Sequence, residues 1–338
     1  KAFTGWTVDW LGKRKIAYAI SALVIALGIG SMVTKGFDLG IDFKGGYSYN
    51  IQFDANQQVD ANALRTALNN SFGGGTLVKE VSTQNTFNVV TSYLIDDNSE
   101  GAADKVMKKL HEGVQTALGG NLDFEKFKDP DAIGVAHVTQ SSKVGPTIAE
   151  DIKESSIYAT IFALLFIFFY IFVRFNRWQY SAGAVAALFH DTLVVLAVFS
   201  IFWGVLPFSL EIDQAFIAAI LTVIGYSIND TVVVFDRIRE FMNSYTGKTK
   251  EEIINMAINA TISRTIITSL TTLFVVAILL FFGGTSIRGF AFALFVGIIV
   301  GTYSSVFIAT PIMSDLSGDI TLKKAKKSKS SFSRAAAK

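Results

Sequence analysis

The chain has 338 residues, of which 51% are hydrophobic and only 17% charged, with a mean hydropathy of +0.42. That balance is too apolar for a water-soluble domain of this size and selects a membrane-embedded class. A formal net charge of +2 argues against a nucleic-acid partner, and the lack of cysteine excludes disulfides without locating the chain in any compartment.

A hydrocarbon core of roughly 30 Å needs about 20 predominantly apolar residues per helix. The first such run is 16–34, preceded by Lys13, Arg14 and Lys15 in the N-terminal segment 1–15. It is longer than the apolar core of a cleavable signal peptide and five more runs follow, so a retained span is predicted. The chain opens on Lys1 and not on methionine, which leaves both trimming and a longer parent polypeptide open.

Residues 35–154 are too long for a linker and predict a folded extracytoplasmic domain. Tyr47 to Phe53 alternates as a strand, and Asp60 to Asn69 places Leu64, Ala67 and Leu68 at helical spacing before Gly73, Gly74 and Gly75. Leu77 to Ser82 and Thr86 to Tyr93 read as two strands, Gly101 to Leu118 as a second helix, and Leu122 to Phe127 as a last strand. The order β-α-β-β-α-β is that of a ferredoxin-like α+β sandwich.

Five further spans are predicted at 155–173, 180–202, 214–236, 262–282 and 289–313, giving six transmembrane α-helices with the sandwich between the first two. Basic residues collect at Lys13 to Lys15, at Arg174 and Arg177, in the loop 237–261, and in the tail 314–338 with its Lys323, Lys324, Lys326 and Lys327. The connection between the third and fourth spans carries Glu211 and Asp213 and no basic residue. Lys and Arg mark the cytoplasmic side, so both termini are placed in the cytoplasm of a multi-pass inner-membrane protein.

Ionisable groups inside spans are costly, and each one is a functional hypothesis. Asp230 lies roughly 10 Å inside Arg237 at 1.5 Å per residue, with Asn229 beside it and Ser227 one turn back. Arg264, near the start of the fifth span, reaches inward far enough to pair with Asp230. An opposite charge lowers a carboxylate pKa and burial raises it, so a pair of variable separation takes up and releases a proton, which is what an ion-driven machine needs. A fixed interhelical bridge is the alternative. Thr268 belongs to a hydroxyl stripe with Ser263, Thr265, Thr271 and Thr272 that reads first as packing and second as a relay. His190 and Asp191, in the middle of the third span, are relay candidates too; adjacent helical positions point about 100° apart, which argues against one shared site. The residues offer no phosphate-binding Gly-Lys loop and no His or Cys cluster for a metal, so no cofactor beyond the coupling proton is expected. Ser227 lacks the Gly-x-Ser-x-Gly elbow of a hydrolase, and no enzymatic activity is expected.

Several stretches are similar to one family. Asp38-Leu39-Gly40-Ile41-Asp42-Phe43-Lys44-Gly45-Gly46 resembles the Gly-(Ile/Val)-Asp-Phe-x-Gly-Gly signature of the SecD/SecF proteins. The stretch from Gly225 to Glu240, the segment Ser263 to Ser269, the pair His190-Asp191 and Val144-Gly145-Pro146 also fit, so the likeness runs from about Lys13 to Asp315. The resemblance implies half of an exporter of the resistance-nodulation-division type, an accessory of the Sec translocon that uses the proton-motive force in late steps of preprotein export. It places the family's ion-coupling aspartate and arginine on Asp230 and Arg264. The implied partners are SecD, SecYEG, in some cases YajC, unfolded preproteins and the lipid bilayer; in some bacteria the SecD and SecF halves are fused. Gly45 and Gly46 read from the residues themselves as a tight turn with positive φ ahead of the first strand, with Asp42 and Phe43 as the motif's other fixed points. An exporter of small molecules or lipids on the same fold, and a passive subunit, are the competing readings.

Overall fold

A computed structural model describes residues 8–57, 59–82, 85–97, 99–206 and 208–318. The tail lysines and the first seven residues lie outside them.

A 3-10 turn at Leu11–Lys13 leads into α1, Arg14–Thr34. A short helix α2, Ile41–Lys44, then precedes the sandwich: β1 (Gly46–Gln52), α3 (Ala61–Phe72), β2 (Leu77–Ser82), β3 (Thr86–Thr91), α4 (Ala102–Leu118), α5 (Phe124–Lys128) and β4 (His137–Val144). The sheet order is β2-β3-β1-β4, and each neighbouring pair is antiparallel. α3 is started by Asp60, whose carboxylate accepts the Ala63 N–H, and stopped by Gly73 in the left-handed region. Leu64, Leu68, Leu110 and Val114 of the helices meet Ile51, Phe87 and Val89 of the sheet, and Phe53 just after β1, in one buried cluster.

The expected strand at Leu122 to Phe127 is instead mostly the short helix α5. Asp123 accepts the Lys126 N–H as an N-cap, which favours a helical turn over the alternating pattern. The sheet's fourth strand comes from His137–Val144 and runs through Gly145 directly into α6, Pro146–Phe175. Residues 146–154, expected in the soluble domain, are therefore the first turns of the second span. Pro146 at the first helical position suits this start, because its missing N–H has no intrahelical partner there.

The remaining helices are α7 (Trp178–Phe202), α8 (Gln214–Ser244), α9 (Lys250–Phe282), α10 (Thr285–Ser304) and α11 (Thr310–Leu316), the last two joined by a π turn at Ser305–Ala309. Among the described residues six helical stretches are long and apolar enough to cross a membrane, and the chain is a helical membrane protein. α8 has 31 residues and α9 has 33, lengths of about 46 and 50 Å that exceed the hydrocarbon layer. Most of the expected loop 237–261 is thus helical, and only 245–249 connects the two. α9 begins at a capping box in which Thr249 and Glu252 satisfy each other's backbone N–H groups, so the helix starts in water, well before its apolar stretch. The π turn precedes Pro311, which has no N–H for the Phe307 carbonyl four residues earlier, and across the turn the Thr310 hydroxyl donates to the Ser305 carbonyl at 2.8 Å.

Helix contacts within the bundle rely on missing side chains. A Cβ on Gly183 would lie 2.5 Å from the Ala309 carbonyl oxygen, one on Gly297 2.2 Å from Val223 Cγ2, and one on Gly301 2.9 Å from Ser227 Cβ. Close backbone approach of this kind is how helices associate in lipid, where burial of apolar surface supplies little. The outer face of α6 shows Phe162, Phe166, Phe169 and Val173 exposed, as a lipid-facing helix does.

Candidate functional site: two buried carboxylates and a clip

α8 crosses the bundle between α7, α9 and α10, and two carboxylates are buried against it. Asp230, on α8 itself, is 3% exposed. Ser269 of α9 donates to Asp230 Oδ2 at 3.2 Å, and Thr302 of α10 donates to Ser269 Oγ at 2.7 Å. Thr231 and Thr265 hold buried hydroxyls without a hydrogen-bond partner in the same two helices, α8 and α9. Arg264 is exposed, and among the described residues no ion pair joins it to Asp230. Asn229 and Thr268 are exposed as well; the Thr268 hydroxyl returns to the Arg264 and Thr265 carbonyls of its own helix.

Asp191, 1% exposed, gathers residues from three other spans. Ser227 of α8 and Ser304 of α10 donate to its Oδ2 at 2.7 and 2.8 Å, and His190 Nδ1 lies 3.0 Å from its Oδ1. His190 Nε2 is 3.0 Å from Ser21 Oγ of α1, which is 3.1 Å from the Tyr303 hydroxyl, which donates in turn to the Ala17 carbonyl. The expectation that the 100° between adjacent helical positions argues against one shared site is corrected here. Both side chains rotate toward one polar centre, and the imidazole is long enough to cover the 100° between them. Ser21, Ser269, Thr302, Tyr303 and Ser304 were not singled out by sequence, because a hydroxyl in an apolar span reads equally as a small packing residue.

At the sandwich end of α8 the motif after α1 forms a clip. The Gly40 N–H donates to the Ile212 carbonyl at 2.9 Å, and the Ile212 N–H to the Asp38 carbonyl at 2.8 Å. Asp42 Oδ2 accepts the Gln214 N–H at 3.0 Å, at the first turn of α8. A Cβ on Gly40 would meet Asp213 Cβ at 3.2 Å, so glycine permits this approach. Lys79 of β2 donates to Asp38 and to Glu211, tying the sandwich to both sides of the clip. Gly45 and Gly46 have φ of 72° and 146°, a turn that L side chains rarely adopt. Phe43 packs on the apolar cluster around Phe216 and Ile212. Burial holds the Asp213 carboxyl above its usual range, and Asp42 and Glu211 add to this while the Phe216 N–H opposes it.

Comparison with known proteins matches these features to one family. Residues 126–319 match the family described as "Protein export membrane protein SecD/SecF, C-terminal", and residues 30–57 match the "SecD/SecF GG Motif". A protein translocase subunit SecF from Rhodothermus marinus is 47% identical over 94% of this chain and 95% of its own length. One from Desulfurispirillum indicum is 38% identical over 90% of each. The crystal structure of SecDF, a translocon-associated membrane protein from Thermus thermophilus, superposes with a TM-score of 0.75 at 32% identity over 93% of this chain. This chain spans 39% of that longer one. The chain belongs to the SecD/SecF family of protein export membrane proteins.

Proposed function

We propose that the chain is an accessory subunit of the Sec translocase that uses the proton-motive force to promote late steps of preprotein export, with Asp230 and Arg264 as its ion-coupling pair. The observation that carries this reading is a carboxylate 3% exposed inside an apolar bundle, hydrogen-bonded by a neutral hydroxyl and, among the described residues, in no ion pair. A buried charge left in that state is costly, so proton uptake and approach of a guanidinium are two ways of relieving it. Arg264 lies on α9, the helix that supplies Ser269 to Asp230. A proton is the ion proposed; sodium is the variant that ion substitution distinguishes.

The His190 and Asp191 network, with Ser227, fits a relay. With a neutral imidazole, Ser21 donates to Nε2; with an imidazolium, Nε2 donates to Ser21, which donates to Tyr303, which keeps its bond to Ala17. A proton is thus accommodated by reversing one hydroxyl and leaving no group unpaired. Asn229, Arg264 and Thr268 share exposure on α8 and α9, which supports SecD as a second helical unit covering that face. SecYEG, YajC and unfolded preproteins complete the proposed set of partners. The sheet order β2-β3-β1-β4 with α3 and α4 supports a ferredoxin-like sandwich, and the basic residues of the connections support both termini in the cytoplasm. The clip through Asp38, Asp42 and Lys79 offers the route by which a shift of α8 moves the sandwich.

The test is proton flux and preprotein export in vesicles carrying the partner complex. Asp230→Asn, which keeps shape and hydrogen bonding, is expected to leave a folded, inserted protein with both readouts lowered by at least about tenfold. Wild-type export with that variant would leave a passive scaffold as the surviving reading.

A further inference from the structure

A cavity of about 510 Å³ opens where the sandwich overhangs the bundle. Its walls come from β2, from Arg65 of α3, from Trp203, Leu206 and Phe208 between α7 and α8, and from Arg288 of α10. The volume is that of a small-molecule site. α7 ends at Phe202 and α10 begins at Thr285, so the cavity lies at the level where spans leave the hydrocarbon layer and lipid headgroups begin.

Two of the cavity's cations, Arg65 and Arg288, form no ion pair among the described residues. Arg65, at the exposed rim, donates to the Val78 carbonyl at 3.2 Å and to Asn62 Oδ1 at 3.4 Å. Arg288, half-buried, donates to the Gly283 carbonyl at 3.3 Å. Among the described residues neither guanidinium forms an ion pair, whereas the third cation, Lys79, is already shared by Asp38 and Glu211. Guanidinium groups take phosphate oxygens in a planar fork, and the neutral carbonyls they now contact leave that capacity unused. Asp38 and Glu80 also line the cavity, and Glu211, not itself a wall residue, is paired with Lys79, so counted with that partner the cluster of Arg65, Lys79 and Arg288 is balanced by Asp38, Glu80 and Glu211. A neutral balance of this kind suits a headgroup carrying both signs better than a polyanion.

The opposite wall is apolar and fixed. Lys35 Nζ donates to the Ile201 and Trp203 carbonyls and lies 4.8 Å from the Trp203 ring centroid, holding the indole at the cavity. Phe202, Val205 and Ile287 are 40%, 68% and 41% exposed at the same ends of the spans. They continue the apolar surface into the bilayer, where acyl chains would lie. Tryptophan at this depth is the usual interfacial residue.

We propose that this cavity binds the headgroup of a zwitterionic, ammonium-bearing phospholipid, with its phosphate on Arg65 and Arg288 and its chains along Phe202, Val205 and Ile287. The proposal rests on the membrane placement of the spans and not on ion coupling, so either can fail alone.

The experiment uses the full chain, delipidated in detergent, titrated with phosphatidylethanolamine, phosphatidylglycerol and inorganic phosphate and read by native mass spectrometry. One phosphatidylethanolamine held per chain is expected, weakened about tenfold or more in the Arg65→Gln, Arg288→Gln double variant and unchanged in a Lys108→Gln, Lys248→Gln double variant, an equal loss of two charges at exposed positions outside the cavity. Wild-type retention in the double variant overturns the site. Displacement of the lipid by millimolar phosphate overturns the lipid assignment in favour of a free anion, and tighter binding of phosphatidylglycerol overturns the zwitterion. A second measurement needs no arginine variant: phosphatidylethanolamine carrying a headgroup nitroxide should quench Trp203 emission, read as the difference between the unaltered chain and Trp203→Phe. Equal quenching in both would also sink the proposal.

Discussion

Asp191 and Asp230 are both carboxylates buried in an apolar bundle, and the difference between them is the company each keeps. Three donors from α7, α8 and α10 surround Asp191, which is the saturation a stable carboxylate needs. Asp230 has one serine. Asp191→Asn keeps the shape, and its carbonyl oxygen still accepts the serine protons, but its amide then turns a donor toward His190 Nδ1. Loss of about 1–3 kcal/mol of stability is expected from the mispaired group, seen as a lower melting temperature in detergent, alongside reduced export. Asp213 offers a pH test outside the spans. Its folded carboxyl titrates above the ordinary range because of burial, so the folded state binds the extra proton, and this contribution to stability is complete below about pH 4 and lost as pH rises through the folded value. Asp213→Asn retains the cap on Phe216 and removes the dependence. The gap in melting temperature between variant and wild type should therefore widen in the variant's favour from pH 4 to pH 7; a constant gap would contradict the assignment.

Among elements, the last span is the one with a built-in irregularity. α10 carries Thr302 toward Ser269 and Asp230 and Ser304 toward Asp191, and the π turn follows at once. Any rotation of this segment disturbs both carboxylate shells together, and a π turn is a common place for such motion. Gly183 of α7 seats the turn, since a Cβ there would press on the Ala309 carbonyl and on Met313. Gly183→Val forces backbone to give way, and about 1–3 kcal/mol of destabilisation is expected from overpacking, measured by thermal melting. The sandwich, whose core is separate, should keep its own protection from amide exchange in that variant.

On the scale of the whole molecule, the sandwich and the bundle communicate through few contacts, and Lys79 is the one that touches both sides of the clip. Lys79→Met leaves Asp38 and Glu211 facing each other across a partly buried site. Undocking is expected, read as a rise of about tenfold or more in amide exchange along 37–45 and 210–214 while the sandwich strands stay protected. Unchanged exchange in those segments would show that the ion triad does not hold the domain. The same variant separates the proposed mechanical coupling from the proposed ion binding, because Asp230 and its serine are far from the substitution in the chain.

The six spans were legible in the amino-acid sequence because a 20-residue apolar run has few physical explanations outside a bilayer. Asp38 to Gly46 and the stretch around Asp230 were legible as motifs for a related reason: charge in an apolar helix and paired glycines at a turn are each costly unless used. Helix ends were not, since α8 and α9 continue into water where apolarity no longer marks them and caps such as Thr249 decide. The strand assigned to Leu122 to Phe127 failed because a two-residue alternation over so short a stretch is overruled by one capping aspartate. What only the tertiary structure decided is which hydroxyls meet which carboxylate, that His190 and Asp191 share one centre, and that Arg65, Arg288 and Trp203 meet in one cavity. Those outcomes depend on helix rotation and on contacts between residues far apart in sequence, and no local pattern records the angle at which two helices face each other.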